Sequence, residues 1–240
     1  MNSVHAPFTP PEGILPIYKP SGKSSFFFVA VARKRTLQKK IGHAGTLDPF
    51  ATGLLVLLLG RTWTRKAGHF LDHDKEYSAI FRLGKATDSY DRDGKVIAES
   101  SYIPSNEQLA AHIEMFQGEY NQIPPMFSAK KKGGKKLYEL ARKGVTIERE
   151  PQKVIVQVHL EWYLYPDMKV RICCSKGTYI RSIANDLGER LGCYAYVQEL
   201  ERIRSGPFTL EQAISFETLE KSTPETIGKY ILTPGEYASL

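Results

Sequence analysis

No part of this chain is apolar for long enough to cross a membrane as a helix. The apolar run at residues 54–59 has the length of a buried strand, and neither it nor the run at 26–32 approaches the roughly 18–20 residues of a membrane-spanning helix. Cysteine is also scarce. The only thiols are Cys173, Cys174 and Cys193, an odd number with two adjacent, and they do not form the C-x-x-C spacing of a zinc site. That excludes a disulfide framework and points to a reducing compartment with buried thiols. Residues 1–11 carry proline and polar side chains where a secretory signal would have an apolar core, so a cytoplasmic location is expected.

The usual cofactor and metal motifs are missing as well. Gly22-Lys23-Ser24 resembles the end of a phosphate-binding loop, but Ile17 stands where the first glycine belongs. Asp88, Asp91 and Asp93 do not fit a calcium loop, because Ser89 falls at the first ligand position and no glutamate at the last, so a solvated turn is expected. His69 and His73 have helical spacing without a catalytic glutamate or a third ligand. No serine sits in a G-x-S-x-G elbow. Neither a metal nor a cofactor is expected.

What remains is an ordinary globular composition over 240 residues, 42% hydrophobic and 25% charged, with a net charge of +7. The positive charge is clustered. Residues 130–143 hold Lys130, Lys131, Lys132, Lys135, Lys136, Arg142 and Lys143 against Glu139 alone, and Arg33, Lys34, Arg35, Lys39 and Lys40 form a second group without an acid. One basic run is more often a solvated face, but two favour a polyanionic partner.

Alternation predicts a strand over Gly13–Lys19, and Ser24 or Ser25 can cap a helix running to about residue 35. Further strands are expected at 54–59, 76–83, 154–164, 169–174 and 194–204. Helices are expected at 62–73, after the capping box Ser105/Gln108, at 135–143, and at 178–191 before Gly192. Asp93-Gly94 suggests a hairpin, and short helices and loops should follow Pro207. Without regular βαβ spacing, the expected class is α+β around a mixed, mostly antiparallel sheet flanked by helices and loops.

One loop stands apart: Gly42-His43-Ala44-Gly45-Thr46-Leu47-Asp48-Pro49-Phe50-Ala51-Thr52-Gly53. Its glycines permit close approach of a ligand or of another backbone, and Pro49 biases Asp48 towards an extended conformation. On these grounds alone Asp48 reads equally well as a cap or turn residue. The segment, however, resembles the catalytic motif of the TruB family of pseudouridine synthases. Four further blocks in the right order carry the same resemblance: residues 18–25 (YKPSGKSS), 75–77 (KEY), 124–130 (PPMFSAK) and 174–181 (CSKGTYIR).

The resemblance implies the pseudouridine synthase fold and the cofactor-free isomerisation of a T-loop uridine in tRNA. It implies Asp48 as the essential carboxylate, acting as nucleophile or as base. Arg181 would pair with Asp48, keeping it ionised and oriented. Tyr77 would stack on the uracil and assist at C5, His43 would enter the RNA stack, and Leu200 would wall the pocket. Lys19, Gly45 and Thr46 lie in the matching motifs and are expected to bind substrate. Lys130, Lys131, Lys132 and Lys135 would grip phosphates in an insertion spanning about 124–152, hinged at Gly133-Gly134. The expected domains are a catalytic domain, 1–207, and a short C-terminal tail, 208–240, too short for a complete PUA module. The expected partner is the T-arm stem-loop of tRNA, with no membrane, no obligate protein partner and a monomeric state. The alternatives are a guide-dependent pseudouridylase of the Cbf5/dyskerin type and a tRNA-folding chaperone without activity. The start of the first helix, Phe26-Phe27-Phe28, is bulkier than the polar start usual in the family.

Overall fold

The computed structural model describes residues 9–128, 130–132, 134–141 and 143–238. They form two compact units, one made of the residues up to His73 together with those from Arg202 onward, the other of Asp74–Glu201.

The first unit begins with strand β1 (Gly13–Lys19) and helix α1 (Ser25–Thr36). They are followed by β2 (Ile41–His43) and β3 (Thr52–Leu59). Ser24 caps α1 by accepting from the Phe27 amide, and Arg33, Lys34 and Arg35 face the negative end of its dipole. β1 and β2 both pair antiparallel with β3, whose residues from Gly53 to Leu59 are all buried, as a continuous apolar run requires. The helix expected over 62–73 is interrupted. Lys66 (φ −87°, ψ 5°) leaves helical geometry and separates α2 (Arg61–Arg65) from α3 (Ala67–Asp72).

In the second unit, β4 (Lys75–Leu83) alternates buried and half-buried residues along its whole length. β5 (Lys85–Thr87) and β6 (Val96–Glu99) make the hairpin anticipated from Asp93-Gly94. Helix α4 (Asn106–Glu114) carries the full capping box of Ser105 and Gln108. β7 (Gly118–Gln122), which has no clear period in the sequence, follows it. β8 (Lys131–Lys132) and β9 (Lys135–Lys136) pair as a two-stranded ribbon before α5 (Leu137–Ala141). The helix expected from Lys135 therefore starts two residues later than anticipated. Gly134, at φ 79°, supplies the turn, and Gly133 lies outside the described residues. β10 (Gln152–Leu164), β11 (Asp167–Cys174), α6 (Ile180–Leu191) and β12 (Ala195–Ser205) complete the unit. The order β4-β11-β10-β7 is antiparallel throughout. α6 ends at Gly192 in the left-handed region, as expected.

The chain re-enters the first unit within β12, whose last residues pair with β13 (Phe208–Thr209). The residues beyond are part of this unit's fabric. Ile14 exchanges backbone hydrogen bonds with Leu232, while Tyr18 and Pro16 bond Ile214, so the side of β1 away from β3 is covered. Trp63, Phe70 and Phe208 gather with Ile14, Leu54, Val56 and Leu58 in one apolar cluster, with Tyr237 packed against it. The α+β class and the predominance of antiparallel pairing agree with the reading of the sequence. Among the described residues no helix is long and apolar enough to cross a membrane.

Candidate active site

In the first unit the glycine-rich loop is fastened at nearly every peptide around Asp48. Ser25, the first residue of α1, accepts the Leu47 amide through its hydroxyl oxygen at 2.9 Å and donates to the Leu47 carbonyl at 3.1 Å. The Gly22 amide donates to the Pro49 carbonyl, and the Ala51 amide to the Asp48 carbonyl. Lys19, at 0% exposure, donates from Nζ to the carbonyls of Pro20 (3.1 Å), Pro49 (3.1 Å) and Ala51 (2.6 Å). Two of its three N–H bonds are thereby committed to the loop on either side of Phe50 and the third to the turn after β1, so it ties the loop carrying Asp48 to β1. Burial lowers its pKa to about 8, with the Asp48 charge acting in the opposite sense.

Arg202 closes the same loop from β12. Its guanidinium is buried and donates from Nε to Leu54 O at 2.8 Å and from Nη2 to Gly45 O at 3.1 Å. Gly45, at φ 114°, lies against this arginine, Thr46 is exposed, and Asp48 is half-buried. His43 ends β2. Burial, with help from the Arg202 charge, lowers its pKa, so the ring is neutral at pH 7, and its buried Nδ1 has no hydrogen-bond partner among the described residues.

In the second unit Tyr77 sits on β4 opposite Ile172 of β11, on the buried side of the alternation. Arg181 occupies the first turn of α6. The preceding backbone is fixed by Gln122, whose side chain accepts the Tyr179 amide and donates to the Tyr179 carbonyl. Arg181 is 3% exposed and donates to the carbonyls of Ser89 (3.0 Å) and Phe127 (2.9 Å), with Asp91 Oδ2 at 3.4 Å from Nη1. Asp91 is itself buried and accepts from the Ser89 hydroxyl and the Asp93 amide. The solvated turn expected for this acidic stretch is thus corrected: Asp88 and Asp93 face outward, but Asp91 is a buried anchor for Arg181. Its environment could not be anticipated, because the partner arginine lies far along the chain.

Leu200 is buried on β12. Lys130 is half-buried beside a cavity of about 260 Å³ lined also by Pro124, Leu137 and Arg149, and burial lowers its pKa. The backbones of Lys131, Lys132 and Lys135 form the small ribbon, while their side chains lie outside what the structure describes. His69 and His73 stack edge to face, and no cluster able to hold a metal ion occurs among the described residues. Sequence reasoning missed Ser25, Asp91, Gln122 and Arg202. Ser25 lies in the 18–25 block and Asp91 in the acidic stretch, but neither signal pointed to the role found, and Arg202 stands as a charge within an alternating strand.

A model of the TruB family pseudouridylate synthase N-terminal domain matches residues 33–180, and one of the tRNA pseudouridylate synthase B C-terminal domain matches residues 181–238. The chain belongs to the TruB family. Among curated relatives, tRNA pseudouridine synthase B of Protochlamydia amoebophila is 56% identical over 210 residues, covering 86% of this chain and 80% of the relative. The protein of the same name from Clostridium novyi is 44% identical over 226 residues, covering 94% and 77%. Solved structures of this fold include a Cbf5-Nop10-Gar1 complex, at TM-score 0.67 and 28% identity, covering 85% of this chain and 52% of that one. An archaeal box H/ACA Nop10-Cbf5 complex follows at TM-score 0.65 and 25% identity, covering 92% and 58%. The chain thus spans little more than half the length of the Cbf5 chains.

Proposed function

We propose that this TruB-family enzyme converts the T-loop uridine of tRNA to pseudouridine, acting as a monomer on the T-arm without a guide RNA or protein partner. The observation that carries the reading is the immobilisation of the loop presenting Asp48, whose flanking peptides are held by Ser25, Lys19 and Gly22. A carboxylate that must meet one ribose needs this preorganisation. The higher identity to tRNA pseudouridine synthase B than to the Cbf5 proteins favours direct action on tRNA over guide-dependent action.

The reaction conserves atoms. The N1–C1′ bond breaks, the uracil turns, C5 joins C1′, and the proton leaving C5 is balanced by one gained at N1. No electron acceptor or energy source enters. Asp48 starts the sequence, either by bonding to the ribose or by removing the proton that begins glycal formation. Arg181, oriented by Asp91 and two carbonyls, would pair with Asp48. Tyr77 would stack on the extruded base and Leu200 would wall the pocket. His43, Gly45 and Thr46 would meet RNA. Lys130, Lys131, Lys132 and Lys135 would hold phosphates, helping to repay the few kcal/mol of base extrusion. In this reading residues 1–207 make the catalytic domain, and the segment of about 124–152 closes over the RNA.

The test is tritium release from a T-arm stem-loop labelled at uracil C5, supplied without guide or cofactor, with the modified base mapped by carbodiimide adduct and primer extension. Wild type should release tritium at the T-loop uridine and Asp48→Asn should not. Equal release by both would remove Asp48 from the mechanism, and tight binding without release by wild type would point to RNA folding instead of chemistry.

A further inference from the structure

The first turn of α1 exposes aromatic surface, with Phe27 resting partly against Phe216 at 6.0 Å between ring centroids. Phe28 supplies the packing, at 0% exposure, whereas Phe26 remains 62% exposed and Phe27 36% exposed. A phenylalanine also favours a helix less than alanine or glutamate would. Both exposed rings carry cations: the Arg33 guanidinium lies 5.5 Å from the Phe26 centroid, and Lys23 Nζ lies 5.5 Å from that of Phe27. Along this segment the charge has one sign, and acids enter its neighbourhood from the packed helices Phe216–Lys221 and Pro224–Ile227, with Glu217, Glu220 and Glu225. Between Glu12 and Asp48 the chain contains no acid, while Lys23, Arg33, Lys34, Arg35, Lys39 and Lys40 all belong to α1 or its flanks. This surface is also tied to the catalytic loop, because Gly22 and Ser25, on either side of Lys23, bond Pro49 and Leu47.

We propose that the start of α1 is a stacking platform for the substrate RNA, with one base of the strand flanking the target loop lying on Phe26 and the adjoining phosphates met by Lys23 and Lys34. An aromatic face accepts any base, and cations beside it supply the sequence-independent grip that a polyanion needs. An acidic protein would meet the charge but would have little use for a flat, exposed ring, so RNA is the occupant that satisfies both features. The platform would hold the strand in register with Asp48 through the Ser25–Leu47 clamp.

The inference rests on tRNA being the substrate, so binding is measured in the Asp48→Asn background, where RNA affinity reports whether or not the chemistry is as proposed. Phe26→Ala should weaken binding of an unmodified tRNA transcript about tenfold, equivalent to about 1.4 kcal/mol, and Phe26→Trp should bind at least as well as the parent. In the active enzyme Phe26→Ala should raise KM by a similar factor and leave kcat in place. Lys23→Gln, on an exposed side chain, should reduce the slope of log affinity against log salt by roughly 0.7–0.9. Melting temperatures should be unchanged for all three. Unchanged affinity in Phe26→Ala together with an unchanged salt slope in Lys23→Gln would overturn the proposal. So would a loss of stability in Phe26→Ala with RNA affinity intact, which would make the ring a packing residue.

Discussion

Two glycines of the loop around Asp48 allow steric and conformational costs to be separated. Gly53 and Gly45 have similar positive φ, 100° and 114°, so an added β-carbon strains both backbones alike, by about 1–3 kcal/mol each. Their surroundings differ. At 53 the new carbon would lie 2.4 Å from the Arg202 carbonyl oxygen and 2.7 Å from the Arg202 nitrogen. Both are backbone atoms of β12 and can move only with the strand. At 45 the nearest atom is Arg202 Nη1 at 3.4 Å, the end of a flexible side chain. Overpacking against fixed atoms adds about 1–3 kcal/mol, and the stiffer unfolded chain returns about 0.4–1 kcal/mol in both variants. Gly53→Ala should therefore lose about 3 kcal/mol and Gly45→Ala about 1 kcal/mol, given those strain and overpacking terms. For a chain of this size the melting temperatures should fall by about 6–12 °C and about 2–4 °C. Urea denaturation followed by circular dichroism gives the free energies and calorimetry the melting points. Equal losses in the two variants, or a loss below about 1 kcal/mol at 53, would refute the steric argument, since even ordinary core substitutions reach that size.

Arg181→Lys cannot reach the Ser89 carbonyl, the Phe127 carbonyl and Asp91 together, and kcat for tritium release should fall about a hundredfold, or about 2.7 kcal/mol of barrier. Asp91→Asn leaves Arg181 without its buried carboxylate partner and should cost about 3–5 kcal/mol of stability, read by urea titration. Burial pushes the Cys174 thiol up from 9.0 to about 12. Because the folded value is the raised one, this group contributes stability that is complete below pH 9.0 and is lost as pH rises through about 12. Native protein treated with iodoacetamide at mildly alkaline pH should accordingly retain Cys174 unmodified in a peptide map, and modify it only after denaturation. Replacing Lys131, Lys132 and Lys135 together by alanine should lower the salt slope of tRNA binding by about 0.7–0.9 for each phosphate no longer neutralised. An unchanged slope would remove the ribbon from the interface.

Much of the local structure was legible from neighbouring residues. The limits of β1, the capping box of α4 and the Gly192 stop of α6 all depend on side chains within a few positions of one another and appear where the sequence placed them, and the cap of α1 falls on Ser24, one of the two serines the sequence offered. The run at 54–59 announced a strand buried on both faces, and the motif around Asp48 announced the family. β7 was not legible, because Gly-Glu-Tyr-Asn-Gln has no apolar alternation and becomes a strand only by pairing with β10. Nor were the buried charges. Lys19 on an alternating strand, Asp91 in an acidic turn and Arg202 near a strand end look like surface residues in one dimension. The last of them reaches Gly45 across 157 positions of sequence. A charge can be buried only where carbonyls or an opposite charge replace its water, and those partners come from distant segments that folding brings together. The sequence by itself therefore determined most of the elements, the family and the loop that presents Asp48. Which side chains hold that loop in place was decided by the tertiary structure alone.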